Sequence, residues 1–269
     1  MLGEPFPELR SVLDAFVAGV QNALGRNFLG AYLVGSLATG DFDLDSDVDF
    51  LVVTNAELGE QEVQSLQANH VKIYALECYP ARHLEGSYIS LEMLRRADRV
   101  GIEPLWYVDN GSTSLERSLH DNQWHVRWVL RERGIALAGP DPKTLLDVVH
   151  PDTLRREIVQ AMQELERRFV AEMDQPPGWF KMRFGQSFTV LTVCRMLQTC
   201  QTGTVESKRS AVEWAGQALD PRWCELIRKA WTERTGVRYG AKVRQPAETE
   251  LVRETVRFLE YARRFSTMP

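Results

Sequence analysis

The chain has 269 residues, 44 % hydrophobic and 26 % charged, an ordinary globular composition with room for one large or two average domains. No apolar run approaches the roughly 18 residues a membrane span needs, and a net charge of −5 is too acidic for a general nucleic-acid binder. The charge is uneven: residues 1–150 hold 22 Asp/Glu and 12 Lys/Arg, whereas residues 151–269 hold 15 and 20. An acidic half beside a basic half fits a protein that takes a metal-bound polyphosphate and a cationic second substrate, and it fits chance equally well.

Residues 7–24 predict an amphipathic helix, with Leu9, Val12, Leu13, Phe16, Val17, Val20 and Leu24 at helical spacing and Gly25 as its stop. Phe28–Val34 predicts a strand. Gly35-Ser36 turns it into a short helix over Leu37–Gly40, and an Asp-rich loop at 41–46 leads to a second strand, Val48–Val53. Residues 58–78 again have helical spacing, through Val63, Leu66, His70 and Ile73, with Pro80 as the end of that region. Leu84–Ile89 predicts a third strand with Gly86 as an interior irregularity, and Leu105–Val108 a fourth. Residues 115–133 predict a helix ended by Gly134, followed by a small strand at Ile135–Leu137.

Beyond the breaks at Gly139-Pro140-Asp141-Pro142 and His150-Pro151-Asp152 the pattern is wholly helical: 152–173, 185–201, 208–219, 221–235 and 246–265. Pro176-Pro177-Gly178, Gly203, Asp220-Pro221 and Gly236–Gln245 separate these pieces. The expected division is therefore 1–150 and 151–269.

Cys78, Cys194, Cys200 and Cys224 show no CxxC spacing and predict free thiols in a reducing compartment. The N-terminus has Glu4 and Glu8 and no basic stretch, so a signal peptide is not expected and a cytoplasmic location is. His120 and His125 stand five apart with no cysteine companion, so zinc is not expected.

The chemistry concentrates in residues 33–53. Asp47 and Asp49, at i and i+2 where a strand opens, project from one face about 7 Å apart or less, while Val48 and Phe50 point into a core. Paired carboxylates at that spacing suit a hard divalent cation, Mg²⁺ above all. Gly35-Ser36 offers backbone N–H groups and a hydroxyl to a phosphate. Asp41, Asp43 and Asp45 read as loop solvation or turn capping.

Gly-Ser, ten residues, then Asp-x-Asp between two apolar strands resembles the polymerase-β type of nucleotidyltransferase. The resemblance implies an α+β chain: a nucleotidyltransferase domain with a mixed sheet and flanking helices, then an all-α helical bundle. It implies two Mg²⁺ ions on Asp47 and Asp49, with Ser36 and the Gly35 backbone holding the β/γ phosphates. It calls for a third carboxylate on a neighbouring strand, as base toward a hydroxyl and metal ligand; Glu85 is the candidate, with Glu77 and Glu92 as rivals. The stretches Val190–Leu197, Thr202–Lys208 and Ala211–Ala215, together with Arg133–Pro140, resemble the streptomycin/spectinomycin type of aminoglycoside adenylyltransferase.

That likeness implies transfer of AMP from ATP to an aminoglycoside or aminocyclitol hydroxyl, as in antibiotic resistance, with an active site between the domains and Lys208 reaching the triphosphate. Family members that take streptomycin carry a carboxylate just before the Cys-Arg helix. Lys181-Met182-Arg183-Phe184-Gly185-Gln186-Ser187-Phe188 has none, which favours spectinomycin. Acidic candidates for a cationic acceptor are Glu85, Asp109, Glu172 and Asp174, and Trp106 and Trp179 are candidates to stack on a sugar ring. Arg195 reads as a structural partner in its helix. A monomer is expected. The competing readings are a nucleotidyltransferase acting on a protein or RNA, and a nucleotide-binding sensor without turnover.

Overall fold

A computed structural model describes residues 7–173, 178–234 and 245–266. Asp174, the Pro176-Pro177 break and nearly all of the Gly236–Gln245 separator lie outside the described residues. The chain divides into two compact units between Val149 and His150.

The first unit opens with helix α1, Leu9–Leu24, whose Leu9, Val12, Leu13, Phe16, Val20 and Leu24 are all buried. It ends at Gly25, which adopts φ +50°. Strand β1 is Phe28–Leu33, α2 is Gly35–Thr39 and β2 is Val48–Thr54. Helix α3 runs Glu60–Tyr74, α4 is the single turn Tyr79–Arg82, and β3 is Leu84–Ser90. The expected helix over 58–78 is thus shorter, and Pro80 sits in the first turn of α4, where its missing N–H costs nothing. A one-turn helix α5, Leu91–Arg95, precedes β4, Leu105–Val108.

The helix expected over 115–133 is corrected. Leu115–Ser118 is strand β5, and only Trp124–Arg133 is helical, as α6. Antiparallel pairing on β4 decides this, with Trp106 opposite Arg117 and the guanidinium 5.3 Å above the indole ring. Long-range pairing overrides the helix preference of Leu-Glu-Arg. Strand β6, Ile135–Ala138, closes the other edge.

The sheet order is β5-β4-β3-β2-β1-β6, mixed because β2 and β3 run parallel while their neighbours are antiparallel. The ladder from Val48↔Leu84 to Thr54↔Ser90 has no register shift, so Gly86 is no irregularity. It is needed for close approach, since a Cβ there would lie 2.0 Å from the Phe50 carbonyl oxygen. One sheet face carries Phe50, Val52 and Tyr88 into a core with Phe16 of α1 and Leu66 and Ile73 of α3.

The second unit is helical: α7 Pro151–Ala171, α8 Arg183–Thr202, α9 Lys208–Ala218, α10 Cys224–Arg234 and α11 Thr249–Ser266. Helix α8 is the hub, with eleven buried residues around its circumference and packing on α7, α9, α10 and α11. Met162, Phe169, Val190, Cys194, Leu197, Phe258 and Leu259 form the centre of that core. Arg195 donates from Nε to the Glu206 carbonyl at 3.2 Å.

His70 is buried in the first core, its Nε2 2.8 Å from the Tyr88 hydroxyl. Burial lowers its pKa from 6.5 to about 4. The unfolded chain takes up this proton as pH falls through 6.5, whereas the folded chain resists until about 4, so stability falls across that window and is unaffected above it. Urea unfolding of the parent should lose about 2 kcal/mol at pH 5 relative to pH 7.5 through this group. In His70→Gln that part of the pH slope should vanish, and an unchanged slope would refute the assignment.

Candidate active site

Parallel pairing sets Asp49 of β2 directly opposite Glu85 of β3, on the face away from the Phe50 core. Asp47 stands one residue before β2. One carboxylate oxygen from each of Asp47, Asp49 and Glu85 lies within 4.8 Å of the others. The three expected acids are therefore brought together, whereas Glu77 pairs with Arg82 and Glu92 with Arg96 at the surface. Glu85 is only 7 % exposed.

The Gly-Ser turn meets this cluster. Gly35 adopts φ +56°, and a Cβ on it would lie 1.8 Å from Asp49 Oδ2. Val34 N donates to the Asp49 carbonyl at 3.0 Å, tying the turn to β2. The Ser36 hydroxyl is buried without a hydrogen-bond partner in the structure, an uncommon condition for a buried polar atom. Asp43 accepts from Asp45 N and from the Ser46 hydroxyl through Oδ1, a turn-capping arrangement.

Several partners of the acids were not foreseen. The Tyr107 hydroxyl lies 2.7 Å from Glu85 Oε1 and 3.0 Å from Asp109 Oδ1, so its single proton serves one at a time. The Asn110 amide donates to Asp47 Oδ2 at 3.2 Å, and its carbonyl oxygen faces His83 Nδ1 at 2.8 Å. His120 Nε2 stands 3.8 Å from Glu85 Oε1, while its Nδ1 meets Asp121 Oδ1 at 3.0 Å. The period-2 rule would have found Tyr107, two residues before Asp109. Nothing local signals His120 and Asp121, because the turn holding them exists only once β5 has paired.

Trp106 is corrected as a sugar-stacking candidate. It alternates with Tyr107 along β4 and so lies on the opposite sheet face from Glu85, packed on the core. Asp109 remains at the acidic site through Tyr107.

In the helical unit, Trp179 (44 % exposed) packs its ring on Phe180, Phe184 and Phe188. Lys208, the first residue of α9, holds its Nζ 5.4 Å from the Phe188 ring centre. Thus Trp179 and Lys208 share one aromatic cluster. Lys181 donates to the Met173 carbonyl and Arg183 pairs with Glu233, so both cations of the acid-free stretch have internal partners. Glu172 accepts from Phe180 N, a structural use.

The electrostatics follow from crowding. Burial first, then a hydrogen bond and charge repulsion from Asp47, raise Glu85 from 4.5 to about 7; the Tyr107 hydrogen bond and the His120 charge oppose them. Burial and the charges of Glu85 and Asp109 hold the Tyr107 phenol far above its usual value, so it stays protonated. Burial disfavours the charged His120, but Asp121, Glu85 and Asp49 outweigh it and raise the imidazole to about 9.

A Gly-Ser turn against three clustered carboxylates on a mixed sheet defines a nucleotidyltransferase, and a family described as "Nucleotidyltransferase domain" matches residues 21–82. The family described as "Aminoglycoside adenylyltransferase, C-terminal domain" matches residues 144–261. The chain belongs to the aminoglycoside adenylyltransferase family and is an enzyme of that type. It is 28 % identical over 217 residues to the spectinomycin 9-adenylyltransferases of Staphylococcus aureus strains Mu50 and N315, covering 77 % of this chain and 78 % of each relative. Its fold matches a spectinomycin adenyltransferase from "Enterococcus faecialis" solved with ATP and spectinomycin, with TM-score 0.67, 18 % identity, and coverage of 95 % of this chain and 99 % of that one. Among the described residues no helix is long and apolar enough to cross a membrane.

A carboxylate whose pKa is raised on folding stabilises the fold below its unfolded value and loses that contribution as pH rises. For Glu85 the loss runs from pH 4.5 through about 7. With divalent cations chelated, Glu85→Gln should therefore melt above the parent at pH 8 and level with it at pH 5. Added Mg²⁺ should raise the melting temperature of the parent and not of the variant. A variant melting below the parent at pH 8 would contradict the reading.

Proposed function

We propose that this enzyme transfers AMP from ATP to a hydroxyl of an aminocyclitol such as spectinomycin, with Mg²⁺ bound at the acidic cluster and pyrophosphate released. The observation that carries the reading is the convergence of Asp47, Asp49 and Glu85 within 4.8 Å, against the Gly35 turn. Three hard oxygen donors at that separation fit a divalent cation. Asp47 and Asp49 would hold the metal, two ions in the full reading, with Glu85 as a shared ligand. A divalent cation held there would supply positive charge against the triphosphate and the departing pyrophosphate.

The remaining steps belong to the chain's own groups. Ser36 Oγ, without a protein partner, and the Gly35 backbone hold the β/γ phosphates. Lys208, at the start of α9, is a cation suited to a phosphate group. Glu85, the third carboxylate of the cluster, accepts the proton of the attacking hydroxyl. The new bond joins that oxygen to the α-phosphorus, and the bond from the α-phosphorus to the bridging oxygen of pyrophosphate breaks. Asp109 adds negative charge for a cationic acceptor, and in the helical unit the half-exposed Trp179 has a ring face suited to stacking on a sugar. The spectinomycin relatives support the acceptor class.

Purified protein with MgATP should release pyrophosphate when spectinomycin is added, and Asp47→Asn should lower the rate by a hundredfold or more, on the order of 3 kcal/mol of transition-state stabilisation. Silence across an aminocyclitol panel would remove the acceptor assignment. Separately, Gly35→Ala should lose turnover with the fold retained, because its Cβ would collide with the Asp49 carboxylate. An active Gly35→Ala would show that this close approach is dispensable.

A further inference from the structure

Strand β3 carries two polar side chains on the face of the acidic cluster, Glu85 and, two residues on, Ser87. A chain of side chains leaves the strand at one and returns at the other. The Ser87 hydroxyl donates to Asp121 Oδ2 at 2.7 Å, Asp121 Oδ1 meets His120 Nδ1 at 3.0 Å, and His120 Nε2 stands 3.8 Å from Glu85 Oε1. Asp121 has 13 % of its side chain exposed and Ser87 none, so the middle of the chain is held inside the protein.

The segment bearing His120 is also clamped. The buried Asn122 amide donates to the carbonyls of Arg99 and Glu103 at 2.8 and 2.7 Å, and Gly101 N donates to the Asn122 carbonyl at 2.7 Å. His120 itself has 57 % of its side chain exposed. Its polar contacts and the Tyr107 ring, 5.0 Å away, rather than full burial, define where the imidazole points.

We infer that His120 is a positioning residue for Glu85, oriented by Asp121 and Ser87. The inference rests on the reading of Glu85 as a member of a cation-binding set. With Nδ1 directed at Asp121, Nε2 is the nitrogen presented to Glu85. The Tyr107 hydroxyl donates to Oε1 and the His120 imidazole stands 3.8 Å from the same oxygen, so both restrain the carboxylate from rotating away from Asp47 and Asp49. Outer partners of this kind fix the rotamer of a ligand, and their loss typically weakens metal affinity or activity by about 10–100-fold. Asp121 acts only through His120, so the two should not contribute independently.

The test measures Mn²⁺ affinity by calorimetry on the full chain without nucleotide or acceptor, and turnover separately. His120→Ala should weaken Mn²⁺ binding about tenfold or more and lower kcat with KM for ATP within about twofold. His120→Gln, which keeps a distal nitrogen, should recover most of that loss, while His120→Asn, which keeps only the nitrogen facing Asp121, should not. Asp121→Asn should weaken binding in the parent and add nothing to His120→Ala. Parent-like Mn²⁺ affinity in His120→Ala, equal defects in the Gln and Asn variants, or multiplying effects of Asp121→Asn and His120→Ala would each overturn the inference. A parent that binds no Mn²⁺ would overturn the metal reading and this inference with it, whereas a Mn²⁺-binding parent that ignores spectinomycin would remove only the acceptor.

Discussion

Parallel pairing of β2 on β3 is the constraint on which the first unit depends. In-register pairing puts Asp49 beside Glu85 on one face and Phe50 beside Gly86 on the other. A slip of β2 by one residue would turn Asp49 into the core and Phe50 and Val52 out of it. The hydrophobic face is what makes that slip costly: Phe16, Phe50, Val52 and Tyr88 are buried together with α1 and α3. The core thus holds the carboxylates in place without touching them. Gly86 and Gly35 serve the same end, since a Cβ at either would collide with Phe50 or Asp49.

That arrangement is bought with stability. Three carboxylates within 4.8 Å repel one another, and burying Glu85 adds a desolvation cost. The protein offsets part of this with neutral donors, Tyr107 toward Glu85 and Asn110 toward Asp47, and with the imidazole of His120. Tyr107 and Asn110 orient the acids without adding charge, and His120, held protonated by its acidic neighbours, offsets one of the three negative charges and leaves net negative charge for a divalent ion.

The site was legible in the sequence as far as local pattern determines it. Alternation along β2 placed Asp47 and Asp49 together and Phe50 in the core, and the family resemblance called for a third acid, for which the strand Leu84–Ile89 offered Glu85. Trp106 shows the limit of residue type without register: an aromatic suited to sugar stacking lies on the far sheet face because Tyr107 occupies the near one. His120 and Asp121 were hidden for a different reason. Leu-Glu-Arg-Ser has helical character on its own and becomes a strand only against β4, and the turn after it then points back to β3. No window of neighbouring residues contains that information.

The helical unit makes a related point about charge. Residues 151–269 have an excess of five basic side chains, which by composition alone suggests a polyanion surface. Several of its twenty basic side chains are paired with acids of the same unit: Arg155 with Asp152, Arg167 with Glu164, Arg228 with Glu225, Arg263 with Glu166 and Arg183 with Glu233. Pairs of this exposed kind contribute little stability, but they localise charge and shorten its reach. Lys208 sits at a helix start beside a half-exposed aromatic cluster, where N–H groups and the helix dipole favour an anion. Placement and pairing, more than the number of basic residues, therefore decide where this unit presents positive charge.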